Sequence, residues 1–484
     1  MIRFARQNEI PFEPIEAAEP RSGGPHRHPF LDPGNCSACR PLGAPLDPLT
    51  SEVASNPERE ALQSKRLRQL QFAGLLCGFS AGAWLGAAEA PTKLVSIGIS
   101  PVIVSLLMVS GVFLARWSLP ALIRGTAQMS LDVRQAPHLI LWGVLAGCLW
   151  AVANTLTIFA IRNIGLSIAF PLWNLNSLLG IFWGWLLFRE LRSSGSIRWL
   201  SVVVGAAVMF GGATLLATAS STQSGSATAA RGMIAALAAG ALWGTMYIPY
   251  RKAYLTGMNP LSFVAFFTIG ELGTMLTLAL TESGGVTALW QQLIAAKDLL
   301  FWLMLGGFVW VIGDLFQQYA AKYLGISRGI PLSNTNQLWG LLWGLFVFGE
   351  LHGMAAGHYA RVIGGSLLMA AGAGAIALAS VTRSEHIEWR VAAGREALRY
   401  GISEEFLNAG MTGASATPGA AAPSRSWVDW LLVAVASGIF IYLASVARTP
   451  QISFNWPALI VLSVALLLSL VITAFILFRT TRFQ

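Results

Sequence analysis

Two stretches of the sequence place uncharged amides at the same depth of an apolar segment. Asn174 and Asn176 lie in PLWNLNSLLGIFWGWLLFREL, which starts at Pro171; Asn334, Asn336 and Gln337 lie in PLSNTNQLWGLLWGLFVFGEL, which starts at Pro331. A side-chain amide both donates and accepts hydrogen bonds, so such a set suits a polyhydroxylated or amide-bearing solute. Asn174 stands about 11 residues into its segment, roughly 16 Å at the helical rise, near the middle of a bilayer. Pro171 and Pro331 come one turn earlier, where a missing N–H loosens a helix and frees carbonyls. The plainer role for Asn in lipid is interhelical glue. Recurrence at one depth in both stretches favours a site.

Acids inside apolar segments are costly and rank as functional. Asp314 and Glu271 are of this kind, either one a candidate to carry a proton for coupling, and Gln317 follows Asp314 by one turn. Asn154 and Val112 are their counterparts in the other stretch. Trp84, Trp243, Tyr247, Trp183 and Trp343 are aromatic candidates for stacking on a sugar ring, with plain packing as the alternative. Glu89 has Lys93 one turn on, a local ion pair, and Glu190 and Glu350 close their helices as structural residues. His26, His28, Cys36 and Cys39 form a conceivable zinc set, but the spacing is no standard finger and no apolar unit surrounds it, so no metal site is expected.

The elements that must position these residues are membrane helices. Hydrophobic residues make up 55% of the 484 and charged ones 11%, with a mean hydropathy of +0.60. A soluble chain needs far more charge. Apolar runs near 70–92, 99–116, 138–161, 163–188 and 197–219 form one set, and runs near 231–250, 260–281, 299–321, 323–349 and 358–381 a second. Two more, near 427–447 and 457–479, bring the expectation to about twelve spans. Basic residues gather in alternate loops, among them Arg116, Arg124, Arg251, Lys252, Lys322 and Arg328, against Lys93, Arg162, Arg231, Lys297, Arg361 and Arg448 on the other side. By the positive-inside rule both termini are expected in the cytoplasm, in a plasma (bacterial inner) membrane. The net charge of +9 is scattered between apolar runs, which fits lipid headgroups and not nucleic acid.

The sequence repeats itself at about 160 residues. Pro171, Asn174, Asn176, Gly180, Trp183, Gly184 and Glu190 match Pro331, Asn334, Asn336, Gly340, Trp343, Gly344 and Glu350. Upstream, Gly147 and Trp150 match Gly307 and Trp310; downstream, Gly205 and Gly212 match Gly365 and Gly372; near the start, Trp84 is set against Trp243. Each copy, 69–219 and 231–381, holds five spans. An odd number makes the two enter the membrane from opposite sides, the inverted-repeat plan of many transporters. A cytoplasmic, mostly disordered tail (1–68) precedes them. An amphipathic helix and linker (382–426) and a transmembrane hairpin (427–484) follow.

The repeated five-helix unit, over roughly 70–381, resembles the drug/metabolite transporter superfamily. The segment GDLFQQYAAKYLGISRGIPLSNTNQLWGLLWGLFVFGE, Gly313 to Glu350, resembles its glucose/ribose porter and plant ureide permease branches. The resemblance implies that the first four helices of each half line a central cavity while the fifth packs outside. Trp84, Asn154, Asn174, Trp243, Glu271, Asp314 and Asn334 would then line it. The N-terminal tail and final hairpin depart from the ten-helix plan.

The expected function is secondary active transport of a sugar or related polar metabolite, coupled to protons, by a monomer or homodimer without cofactor. A metabolite exporter or lipid-linked sugar flippase is the alternative; a membrane-embedded sensor or enzyme is more remote. No GxxxxGK[ST] loop or HExxH pattern is present.

Overall fold

The computed structural model describes residues 57–88, 99–164, 172–173, 175–217, 226–349, 355–379, 381–412, 425–448 and 455–483. The chain divides into two compact units, Met1–Arg59 and Glu60–Gln484. The His26/His28/Cys36/Cys39 set lies outside the described residues, as do Asn174, Glu89, Lys93 and Glu350.

Among the described residues every regular element is helical. In chain order they are α1 (Pro57–Ala87), α2 (Pro101–Ile123), α3 (Thr126–Gln135), α4 (His138–Ile164), α5 (Leu175–Phe188), α6 (Ser196–Ala217), α7 (Ser226–Leu255), α8 (Pro260–Ser283) and α9 (Val286–Ala295). There follow α10 (Leu300–Leu324), α11 (Ile326–Ser333), α12 (Asn336–Leu342), a π turn (Trp343–Val347), α13 (Ala356–Leu378), α14 (Arg383–Tyr400), α15 (Glu404–Thr412), α16 (Trp427–Val446) and α17 (Trp456–Thr481). Ten of these are long and apolar enough to cross a membrane. The chain is an all-α integral membrane protein.

Two expected spans differ, and they are the fourth of each copy. The described part of the first is α5, 14 residues long. The second is broken into α11, α12 and the π turn. Gly325, at φ +82°, ends α10 in a backbone conformation that favours glycine, so α11 starts in a new direction. A second break follows Pro331, which removes an N–H from the ladder. There Ser333 Oγ and Thr335 Oγ1 bond back to the Ile330 and Leu332 carbonyls at 2.8 and 2.9 Å. Hydroxyls competing for helical carbonyls loosen the turn that carries Asn334.

Close helix contacts occur at glycines, and they come in pairs related by the repeat. Gly111 of α2 lies on the Met304 carbonyl of α10, and Gly307 of α10 on the Met108 carbonyl of α2. The α4–α8 contact does the same with Gly147 on Phe267 and Gly270 on Val144, and α6 meets α13 through Gly205–Gly372 and Gly212–Gly365. Gly111, Gly147, Gly205, Gly212, Gly270, Gly307 and Gly372 have no room for a Cβ. In lipid, where apolar burial gives helices no reason to associate, such backbone approach supplies the packing. Gly82 and Gly86 of α1 meet the α11–α12 junction, as Gly240 and Gly244 of α7 meet Trp173, Asn176 and Leu179. GAWLG thus corresponds to GALWG, one residue off the register that sets Trp84 against Trp243.

The last hairpin is tied to this bundle. Asp429 caps α16 and accepts the Thr126 N–H at 2.6 Å. Ser80 and Thr473 join α1 to α17 at 2.7 Å. Beyond α17 the Phe483 carbonyl accepts from Asn259 Nδ2 at 2.8 Å and the Tyr319 hydroxyl at 3.0 Å.

Candidate functional site

Helix α2 runs seven residues beyond the expected end of its span, so Arg116 is not a loop residue. Its side chain is fully buried, with Nη1 2.6 Å from Glu271 Oε2 and Nη2 2.7 Å from Asp314 Oδ2. The guanidinium lies 4.2 Å from the Phe267 ring centroid and 5.2 Å from that of Trp310, and Trp310 meets its repeat counterpart Trp150 edge-on at 5.3 Å. Arg251, Lys322 and Arg328, also expected in loops, are buried as well. A charge pulled from water is stable only when paired, and here α2, α8 and α10 each bring one member. The sequence held the signal: Arg116 sits in FLARWSLPALI, apolar on both sides, and Glu271 and Asp314 are acids inside apolar segments that need a cation.

This triad has no counterpart across the repeat. Counting from the paired glycines, Arg116 corresponds to Met275, Glu271 to Val112 and Asp314 to Asn154. Asn154 donates to Ser105 Oγ at 2.5 Å, and Met275 Sδ receives Thr155 Oγ1 at 3.5 Å. Asn154 is therefore apart from the amide set with which it was grouped. A second cavity, of about 80 Å³ and bounded by Ser105, Thr155 and Glu282, lies at that end.

The amides converge at the break in the second copy. Asn334 Nδ2 donates to Asn176 Oδ1 at 2.8 Å and also to Ser177 Oγ. Gln317 Nε2 donates to Ser333 Oγ at 2.6 Å, linking this cluster to the turn of α10 above Asp314. Asn334, Gln337 and Ser177 border a cavity of about 20 Å³ that Met209, Pro331 and Met369 also line, room for a water and not for a sugar. Residues of α6 and α13, the fifth helices, line it, whereas the resemblance implied only the first four. Asn336 sets its backbone N and O against Gly82 and Gly86, and its buried Oδ1 has no partner among the described residues.

The aromatic candidates do not form one box. Trp84 and Trp343 share an apolar cluster with Phe316 and Tyr319. Trp243 meets Trp173 edge-on at 6.0 Å, Tyr247 meets Tyr250 at 5.8 Å, and Trp183 lies beside Phe182 at 5.0 Å. The indole N–H groups of Trp84, Trp183 and Trp243 are buried and have no partner among the described residues, which leaves them donors for a solute or a water.

One end of the bundle is closed by a second ionic cluster that sequence reading missed. Glu190 accepts the Ile326 and Ser327 N–H groups at 3.2 and 2.9 Å, capping α11, and lies 2.6 Å from Arg251 Nε. Arg251 stacks 4.0 Å from the Trp389 ring of α14. Arg328 donates through two N–H groups to Glu385, both at 3.1 Å, and its Nε to the Ala379 carbonyl at 2.6 Å. Glu385 also accepts the Leu191 N–H at 2.8 Å. Burial raises its carboxyl, but Arg328 and the backbone N–H donors outweigh that and hold it below the usual carboxylate value. The amphipathic helix expected after the second copy is thus bolted across the bundle's end.

Comparison with known proteins agrees with this region. A family profile described as "Sugar transport protein" matches residues 268–401, which run from just before Glu271 to the end of α14. A Listeria innocua protein described as a "Putative sugar uptake protein" is 24% identical over 208 residues, covering 43% of this chain and 68% of its own. A Listeria monocytogenes protein of the same description is 23% identical over the same shares. A Streptococcus pyogenes one is 42% identical over 104 residues, 18% of this chain and 36% of its own. One solved structure aligns with 61% of this chain at 18% identity and a TM-score of 0.39, too distant to carry an argument.

Proposed function

We propose that this chain is a secondary active transporter that takes up a sugar or related small polar metabolite, coupled to protons, by alternating access between two inverted five-helix repeats. The observation that carries this reading is the Asn334–Asn176 bond, which joins the two copies of one motif at a broken helix. Broken helices at the interface of repeats are where transporters hold their solutes, because loosened backbone and free amides replace the solute's water. The match of residues 268–401 to a sugar transport family, and relatives described by sugar uptake, support sugar as cargo and uptake as direction. The cavity at Asn334 is closed to anything larger than water, so a sugar enters only when α5 and α12 part. Solute hydroxyls then take over the bonds that Asn176, Ser177 and Asn334 make with one another, and Gln337 adds a further amide. The triad of Arg116, Glu271 and Asp314 supplies proton coupling one turn away through Gln317.

The test is uptake of labelled hexoses and pentoses into proteoliposomes, with and without an inward proton gradient. Saturable uptake of one sugar, stimulated by the gradient and weakened by Asn334→Ala, is the expected result. Uptake of none of them removes sugar as the cargo.

A further inference from the structure

Glu271 and Asp314 share Arg116, but they are not equally satisfied. Asp314 uses both oxygens: Oδ2 accepts Arg116 Nη2 at 2.7 Å, and Oδ1 accepts Gln318 Nε2 at 2.9 Å. Gln318 is itself held by the Tyr254 hydroxyl. Glu271 uses one. Its Oε2 accepts Arg116 Nη1 at 2.6 Å, while Oε1 is wholly buried and has no partner among the described residues. Thr268, one turn back on α8, is equally buried, and its Oγ1 is also unpartnered. Residues three apart on a helix share a face, so a free carboxylate oxygen and a free hydroxyl stand side by side.

The charged and titratable groups around Glu271 come from four helices. Arg116 comes from α2 and Asp314 from α10; α7 brings Tyr250, packed on Phe267 at 5.8 Å, and α4 brings Cys148, whose Sγ points to the Gly270 carbonyl at 3.8 Å. With both acids ionised, this dry site carries one uncompensated negative charge. Oε1 is the costlier atom on which to leave it, because the Thr268 hydroxyl is all that stands beside it among the described residues. We propose that Glu271 binds one exchangeable proton on Oε1 while Asp314 stays ionised as the fixed counter-charge of Arg116.

The proton forms an O–H bond on Oε1 and is donated toward Thr268 Oγ1, and the triad becomes neutral. Its loss to water, once α8 is wetted, restores the net negative charge. A neutral triad is at home in the closed bundle and a charged one is not, which makes protonation of Glu271 the condition for closure. This coupling role rests on the transport reading; the protonated carboxyl does not.

The test is infrared spectroscopy of the purified full chain in detergent at about pH 7, where an ordinary carboxyl is ionised. A protonated carboxylic acid shows a carbonyl stretch that carboxylates lack. The band is expected to shift when glutamate is labelled with ¹³C at its side-chain carboxyl and to stay put when aspartate is so labelled. Glu271→Gln removes it, and Glu271→Asp, which keeps an acid there, moves it to the aspartate label. A band that is absent, follows the aspartate label in the wild type, or survives Glu271→Gln overturns the proposal. So does its loss on adding sodium ions, which would make the site a cation site. In proteoliposomes the ratio of uptake with and without a proton gradient falls to one in Glu271→Gln. Sugar uptake by a protein lacking the band sinks this inference alone; the band in a protein that takes up no sugar sinks only the cargo.

Discussion

Asn334 donates to Asn176 at 2.8 Å, and the two residues are non-identical positions of one repeated motif. Asn334 corresponds to Asn174, and Asn176 to Asn336, so the bond crosses the repeat. If these amides exchange one another for solute hydroxyls, removing either costs about one hydrogen bond, roughly 1 kcal/mol and several-fold in apparent affinity. Asn334→Ala and Asn176→Ala should each raise the half-saturating sugar concentration by that factor. The double variant should be less than additive, since both lose the same contact. Strict additivity in uptake assays would separate the two residues.

The Arg328–Glu385 pair predicts a large structural effect far from any solute. Glu385→Ala leaves Arg328, 1% exposed, without its carboxylate. An orphaned buried charge costs about 3–5 kcal/mol, and the thermal midpoint in detergent should fall accordingly. Arg328→Ala combined with Glu385→Ala should recover part of that loss. Because the folded Glu385 carboxyl is held below its ordinary value, its contribution is complete above that value and fades as pH falls through the folded one. Acidification should therefore loosen α14 before the membrane helices, visible as faster proteolysis of the 401–426 segment.

Asp132 should show the opposite sign. It is 1% exposed on α3 and accepts from Gln128 Nε2 at 2.9 Å and the Asn259 N–H at 3.2 Å. Burial pushes its carboxyl up to about 6, against the pull of those donors and of the nearby Lys322 charge. A group raised on folding binds its proton more tightly in the folded chain, so stability is lost as pH rises from about 4 to about 6. The span is worth up to about 3 kcal/mol at 1.36 kcal/mol per unit. Asp132→Asn should flatten the midpoint-versus-pH curve over that window; an unchanged slope would place the titration elsewhere.

The class of the protein was legible because lipid enforces it: length, hydropathy and the repeat need no tertiary knowledge. The candidate site was half legible. Asn176, Asn334, Gln317 and Gln337 stand out in the sequence because amides inside apolar segments are rare enough to notice, and the structure brings them together. Arg116 was assigned to a loop because a charge usually ends a span, and only its partners Glu271 and Asp314, distant in sequence, explain why α2 carries it inward. Arg251 and Arg328 were misplaced for the same reason. The one-residue slip between Trp84 and Trp243 arose from matching large residues, whereas the structure aligns Gly82 and Gly86 with Gly240 and Gly244, where helices touch.

The glycine contacts give the sharpest test of equivalence between the copies. Gly111 faces the Met304 carbonyl as Gly270 faces the Val144 carbonyl, and in both places a Cβ would fall inside contact distance of backbone. Backbone cannot swing aside as a side chain can, so each alanine must push a helix pair apart. Overpacking of this kind costs about 1–3 kcal/mol. Gly111→Ala and Gly270→Ala should therefore lower the thermal midpoint by similar amounts, although one pries α2 from α10 and the other α8 from α4. Their functional effects should be alike too, because each displaces a helix that carries a triad residue: Arg116 five positions beyond Gly111, and Glu271 directly after Gly270. Conserved folding with lost gradient stimulation in both is the expected outcome. A silent Gly111→Ala beside an unfolded Gly270→Ala would show that the two contacts bear unequal load, and that the repeat is symmetric in sequence but not in packing.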